Sequence, residues 1–303
     1  MSWEKQGHIY APDGSFWWAQ SYAHLPTVLV LDDVVRVYYA GLDENKYGRI
    51  GFVDLNPHNL NEIVYVHPEP ALDLGMLGTF DSCGTVPSCV IQHEDTFYLY
   101  YIGFQRAERV PYMLFTGVAT SSNGVHFERY SHTPILDRTP NEPFSRSAPH
   151  IIKVDGIWRM WYWSCTHWTK QDDLVHYNNV IRHAQSTDGI NWQVSPSICI
   201  EPSFPDEYAA GRPWVVITEN GFKMWYSIRS HSYGYRFGYA ESNDGLAWQR
   251  LDDQAGLTPS LNGWDSEMVC YPSIANISDE LVLFYNGNRH GQTGFGYAIW
   301  KDS

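Results

Sequence analysis

Acid–base chemistry on a small ligand needs carboxylates or imidazoles within reach of each other, and gripping an anion needs guanidinium groups beside them. Four short segments offer such residues, each a few positions upstream of a proline or of the strand that holds one. They are Asp81-Ser82-Cys83-Gly84-Thr85, Ser145-Arg146-Ser147-Ala148-Pro149-His150, Glu207-Tyr208-Ala209-Ala210-Gly211-Arg212-Pro213-Trp214 and Trp264-Asp265-Ser266-Glu267-Met268-Val269-Cys270-Tyr271-Pro272. A fifth, Ala23-His24-Leu25-Pro26, brings an imidazole. Asp81 with Asp265 or Glu267 forms the expected acid/base pair, with His24 or His150 assisting. Apolar neighbours such as Trp264 and Met268 would raise the pKa of a nearby carboxyl group, as an acid catalyst requires. Arg146 and Arg212 are expected to hold an anionic group, a carboxylate or phosphate on the substrate. Ser147, Glu207, Trp214, Trp264 and Tyr271 complete the expected substrate-binding set, the tryptophans stacking on a sugar ring.

Each residue also has a structural reading. Asp81 suits a turn cap. The arginines suit ion pairs with Asp265, Glu267 or Glu207, because a buried guanidinium without an anion is costly. The histidines suit hydrogen-bonded packing.

What must position these groups is a repeat. Five segments place a tyrosine thirteen residues after a proline: Pro26/Tyr39, Pro87/Tyr100, Pro149/Tyr162, Pro213/Tyr226 and Pro272/Tyr285. Successive prolines fall about sixty residues apart, the period of a repeat architecture. Each unit reads as short strands: an apolar run after the proline, an aromatic run such as Trp158-Arg159-Met160-Trp161-Tyr162-Trp163, and a third strand such as Phe237-Gly238-Tyr239-Ala240. Hairpins of the form Ser186-Thr187-Asp188-Gly189-Ile190-Asn191-Trp192 follow, with the Asp-Gly or Asn-Gly step of a tight turn.

The fold class this predicts is all-β, a five-bladed β-propeller of four-stranded blades. Residues 1–303 form one domain, with blades roughly 14–70, 71–137, 138–200, 201–255 and 256–303. Residues 2–10 supply the last outer strand and close the ring, because Trp3-Glu4-Lys5 resembles the fourth-strand starts Trp192-Gln193-Val194 and Trp248-Gln249-Arg250. The residues two before each proline, His24, Thr85, Ser147, Gly211 and Cys270, are expected on the channel wall. A bulge there would reverse the alternation.

Composition narrows the function. Twenty Lys and Arg against 34 Asp and Glu give a net charge of −14, and no basic cluster offers itself to nucleic acid phosphates. No stretch is long and apolar enough for a membrane span, and no secretory leader is visible, so a cytoplasmic location is expected. Five cysteines without Cys-x-x-Cys spacing read as reduced, buried thiols. No cofactor is expected, and a channel Ca²⁺ stays open although no ligand cluster specifies it. The expected partner is a small-molecule or glycan substrate, and the oligomeric state is left open.

These units resemble the five-bladed glycoside hydrolases of families 43 and 32, and more distantly the family-130 mannoside phosphorylases. The likeness rests on the proline-ended inner strands, the aromatic second strands and the Ser-x-Asp-Gly-x-x-Trp hairpins. It spans the whole chain and implies a carbohydrate-active enzyme. Three positions depart from it. The acid glutamate implied two before the third proline is Ser147. The first inner strand, Gln20-Ser21-Tyr22-Ala23-His24, holds no carboxylate, and Val86 and Ser88 flank the second proline where an aspartate is implied. The family's two-carboxylate mechanism therefore does not carry over. A carbohydrate-active enzyme with a rearranged site, a glycan-binding propeller without catalysis, and a small-molecule enzyme of another class (isomerase, cyclase or transferase) all stay open.

Overall fold

A computed structural model describes residues 2–171 and 174–301. Strand makes up 61% of the chain and helix 2%. Pairing sorts the strands into five antiparallel sets of four. The first set is β2 (Ser21–Val30), β3 (Val35–Leu42), β4 (Gly48–Asn56) and β5 (Asn59–Val66); the second is β6 (Gly84–His93), β7 (Thr96–Arg106), β8 (Tyr112–Ser121) and β9 (Glu128–Arg129). The third is β10 (Arg146–Val154), β11 (Ile157–Gln171), β12 (Leu174–Ser186) and β13 (Gln193–Ile200); the fourth is β14 (Glu207–Thr218), β15 (Gly221–Ser230), β16 (Gly234–Ser242) and β17 (Gln249–Arg250). In the fifth, β18 (Cys270–Ile277), β19 (Glu280–Asn286) and β20 (Phe295–Lys301) are joined by β1 (Ser2–Tyr10) from the other end of the chain. Its register runs from Ser2 opposite Lys301 to Tyr10 opposite Phe295. First strands adjoin in the order β2, β6, β10, β14, β18, and β18 lies beside β2.

Aromatic side chains knit neighbouring sets together. Tyr38 and Tyr100 donate their hydroxyl protons to the carbonyls of Gly124 and Gly189, at 2.5 and 3.0 Å, in the hairpins of the next set. Trp161 Nε1 does the same to the Gly245 carbonyl at 2.8 Å. Those carbonyls are exposed by the tight turn, in which Ser186 and Asp188 accept the loop N–H groups and Gly189 takes φ +76°. The hairpin motif is thus a docking device between sets.

One detail of the repeat differs from the sequence reading. Tyr39, Tyr226 and Tyr285 lie opposite Gly51, Gly238 and Gly296 on the third strand, and in the second set it is Tyr101, opposite Gly117, that matches them. Tyr100 instead occupies the place of Tyr38. The cause lies on β6, where the extra residue falls between Pro87 and Cys89, so Ser88 stands where the other sets carry proline.

Candidate functional site

All five sets contribute to one central cavity of about 270 Å³. Its wall is built from first-strand residues at the bulge and from alternate residues of the second and third strands. The alternation follows from strand geometry, because successive side chains point to opposite faces. Ile102 and Phe104 lie one and three residues past Tyr101; Ser227 and Arg229 hold the same places past Tyr226, and Trp163 follows Tyr162.

The bulge decides which first-strand residues arrive there. Leu25, Ala148, Arg212 and Tyr271, each directly before its proline, take φ of +52°, +47°, +51° and +61°. All four line the cavity, as does Val86. Of the residues two before the proline, only His24 and Gly211 do so. The expected wall is therefore corrected by one position: a left-handed residue inserts an extra step and turns its own side chain toward the axis. Holding a non-glycine residue there costs about 1–2 kcal/mol, and four such residues face one cavity.

The cavity is divided in character. Leu25, Leu42, Val86, Ile102, Phe104, Leu114 and Ala148 make an apolar wall. Opposite stand Arg212 and Arg229 with Tyr177, Tyr235 and Tyr271, and Lys46 and His24 join from the first set. The guanidinium of Arg229 lies 4.9 Å from the ring centre of Tyr177, 5.1 Å from that of Tyr208 and 5.0 Å from that of Tyr235. The Tyr271 hydroxyl donates to Tyr235 at 3.1 Å. Trp163 and Tyr177 stack at 5.7 Å, 11° from parallel.

Arg212 is deeply buried. It donates to the Ser88 carbonyl and, at 3.0 Å, to Thr27 Oγ1, and its Nε has no partner. Among the described residues no carboxylate lies within ion-pair distance of Arg212 or Arg229, and none lines the cavity. Burial pushes the Arg212 pKa down to about 9, which leaves it cationic at neutral pH. Burial also pulls His24 down to about 3, helped by the nearby charges of His290 and Arg212, so its imidazole is neutral. His24 Nε2 is buried without a hydrogen-bond partner.

The expected site residues divide accordingly. His24, Arg212 and Tyr271 reach the cavity; the others lie elsewhere. Asp81 is fully buried, accepting from Tyr101 Oη at 2.9 Å and pairing with Arg129 Nε at 2.6 Å. Asp265 accepts from Tyr285 Oη at 2.9 Å and pairs with Lys5 Nζ at 2.6 Å. Two further sets repeat this constellation: Tyr162 with Glu142 and Arg146, and Tyr226 with Asp252 and Arg250. In four of five sets, then, the second-strand tyrosine binds a carboxylate that a cation neutralises. That repeated triad takes Asp81, Asp265 and Arg146 away from the cavity, because each is already ion-paired within its own set.

Glu207 pairs with Arg250 at 2.9 Å. Glu267 is exposed, its backbone N–H donating to Asn288. His150 is buried, its Nδ1 accepting from the Val215 N–H at 3.1 Å and its ring packed on Trp214 at 4.2 Å. Trp214 donates to the Ile274 carbonyl at 2.8 Å, so it belongs to the joint between sets. Trp264 packs on Tyr285 and His8. Ser147 is fully buried away from the cavity. The sequence reading missed Arg229, Lys46 and Tyr177 as wall residues, although Arg229 follows a repeat tyrosine by three positions. The cysteines are all free, four of them buried. Among the described residues no group of three His, Cys, Asp or Glu side chains forms a metal site.

Comparison with solved structures places this fold. A glycoside hydrolase superposes with a TM-score of 0.76 at 17% identity, covering 99% of this chain and 92% of that one. A thermostable family-43 glycoside hydrolase gives 0.71 at 19% identity, covering 93% and 89%. A structure from the GH130 family of mannoside phosphorylases, which contains glycoside hydrolases that target β-1,2-mannosidic linkages, gives 0.72 at 16%, covering 99% and 93%. At such identities the likeness is one of fold: a β-propeller of glycoside-hydrolase type. No family model matches the chain. Among curated proteins, the uncharacterized protein Rv1502 of Mycobacterium tuberculosis strain H37Rv is 37% identical over 303 residues, the full length of both. A counterpart from strain CDC 1551, MT1551, matches equally. The chain therefore belongs to the same family as Rv1502, built on a β-propeller of glycoside-hydrolase type.

Proposed function

We propose that the central cavity binds a small anionic carbohydrate derivative, and that it does so without cleaving glycosides through a carboxylate pair. One observation carries this reading: the cavity wall holds Lys46, Arg212 and Arg229 and no carboxylate. Two arginines in a desolvated site select an anion. Glycoside cleavage requires two carboxyl groups roughly 5–10 Å apart across the sugar. Of the carboxylates that sequence reasoning would enlist, Asp81 and Asp265 are held in tyrosine–cation triads outside the cavity and Glu267 is exposed away from it. The glycoside-hydrolase fold of the structural neighbours supports a sugar as the ligand's scaffold, and the stacked rings of Trp163 and Tyr177 suit one face of a pyranose.

A second reading, an enzyme of another class, is favoured by His24. Its imidazole lines the cavity with an unpartnered Nε2, a polar atom beside the ligand that no other group claims.

Titration calorimetry with glucuronic acid and with methyl glucoside tests the first reading, beside a panel of nitrophenyl glycosides. The acid is expected to bind and the neutral sugar not, with no nitrophenol released. Equal binding of the neutral sugar, or glycoside turnover, would overturn it. Conversion of the bound acid to a new species, seen by NMR and abolished in His24→Ala, would establish the second.

A further inference from the structure

The cavity is polarised across the ring, and that polarity describes its ligand. The second set gives it Val86, Ile102, Phe104, Leu114 and Tyr112; the fourth gives it both arginines. In the ring β6 adjoins β2 and β10, whereas β14 adjoins β10 and β18, so these two walls are separated by one set on one side and by two on the other. A bare sugar acid is polar over most of its surface and would leave the aliphatic wall unmatched, stranding hydroxyl groups without hydrogen-bond partners. Leu42, Phe104 and Leu114 are each only partly covered, so apolar surface lies open to whatever enters. A volume of about 270 Å³ admits one or two rings rather than a chain.

Resting on the anion-binding reading, we infer that the ligand is an amphipathic anion. Its carboxylate or phosphate meets Arg229 and Arg212, and an aryl, acyl or deoxygenated portion covers the wall of Ile102, Phe104 and Leu114. This names the substrate class more narrowly than a sugar acid. It also accounts for an aliphatic cavity wall in a fold whose neighbours act on sugars.

The experiment uses matched probes on the full chain by titration calorimetry: glucuronic acid against phenyl glucuronide, and inorganic phosphate against phenyl phosphate, with phenyl glucoside as the neutral control. The phenyl-bearing anion of at least one pair is expected to bind about tenfold tighter or better than its bare partner, the gain from burying one ring. That advantage should shrink below about threefold in a Leu42→Asn/Leu114→Asn variant, while binding of the bare anion persists and reports an intact fold. Equal affinity within both pairs overturns the inference and leaves the anion reading standing. Phenyl glucoside binding as tightly as phenyl glucuronide overturns the anion reading and this inference with it. Absence of binding by every probe does the same.

Discussion

The hydroxyl of Tyr285 donates to Asp265 Oδ2 at 2.9 Å, and the same oxygen accepts from Lys5 Nζ at 2.6 Å. Lys5 lies on β1 and Tyr285 on β19, so one carboxylate oxygen ties two strands of a set assembled from both ends of the chain.

Asp265→Ala should therefore destabilise the fold rather than selectively remove ligand binding. Removing one partner leaves a buried hydroxyl and an ammonium without their acceptor, a loss of about 3–5 kcal/mol for such pairs. Lys5 is partly exposed, so the low end applies. Urea unfolding checks the stability, and calorimetry on the folded fraction checks binding. A stable variant that has lost the ligand would return Asp265 to the site. Asp81→Ala should behave in the same way.

Two tyrosines of these triads, Tyr101 and Tyr226, rest on glycines, Gly117 and Gly238. A Cβ built on Gly238 would sit 2.3 Å from Tyr226 and 2.8 Å from Asp252 Oδ1. Gly238→Ala should consequently cost about 1–3 kcal/mol by displacing the ring from its acid. The denaturation midpoint measures this, and an unchanged midpoint would show that the tyrosine yields freely.

Arg229→Gln should weaken anion binding by about tenfold to a hundredfold, as expected for losing one charge-assisted contact. Its guanidinium packs on three tyrosine rings and has no ion pair among the described residues, so the fold should survive. Calorimetry with phenyl phosphate and a thermal melt give the two readouts. Unaltered affinity would place the anion elsewhere.

Acid should loosen the protein in a defined window. Burial holds His24 at about 3 and both His183 and His290 at about 4, against about 6.5 when unfolded. Between these values the unfolded chain carries the extra protons, so stability falls as pH drops from 6.5 toward 4. Each histidine contributes about 1.4 kcal/mol per pH unit over that span. Urea midpoints at pH 7.5, 6.0 and 5.0 test the slope, and a flat profile over that range would refute it. His183→Gln should remove part of the slope.

The repeat and its hairpins were legible because they are written in prolines, aromatics and Asp-Gly steps. The cavity was not, for two physical reasons. Leu25, Ala148, Arg212 and Tyr271 adopt positive φ although none is glycine, so nothing in their composition announces the bulge that turns them inward. Asp265 and Lys5 are 260 positions apart, so the sequence displays a lone acid where the fold holds a neutralised one. Arg229 was within reach. One two-residue step from Ser227, the neighbour of Tyr226, leads to it, but only once the second strand is known to border the axis.

The pairing of β1 with β20 has a consequence in time. Translation delivers β1 long before β20, so β1 waits for nearly three hundred residues to gain its partner. During synthesis the growing assembly carries two raw edges, the kind that recruit other chains. Rapid folding of the four complete sets does not protect them. Only the seven residues of β20 cover the edge that β1 presents until then.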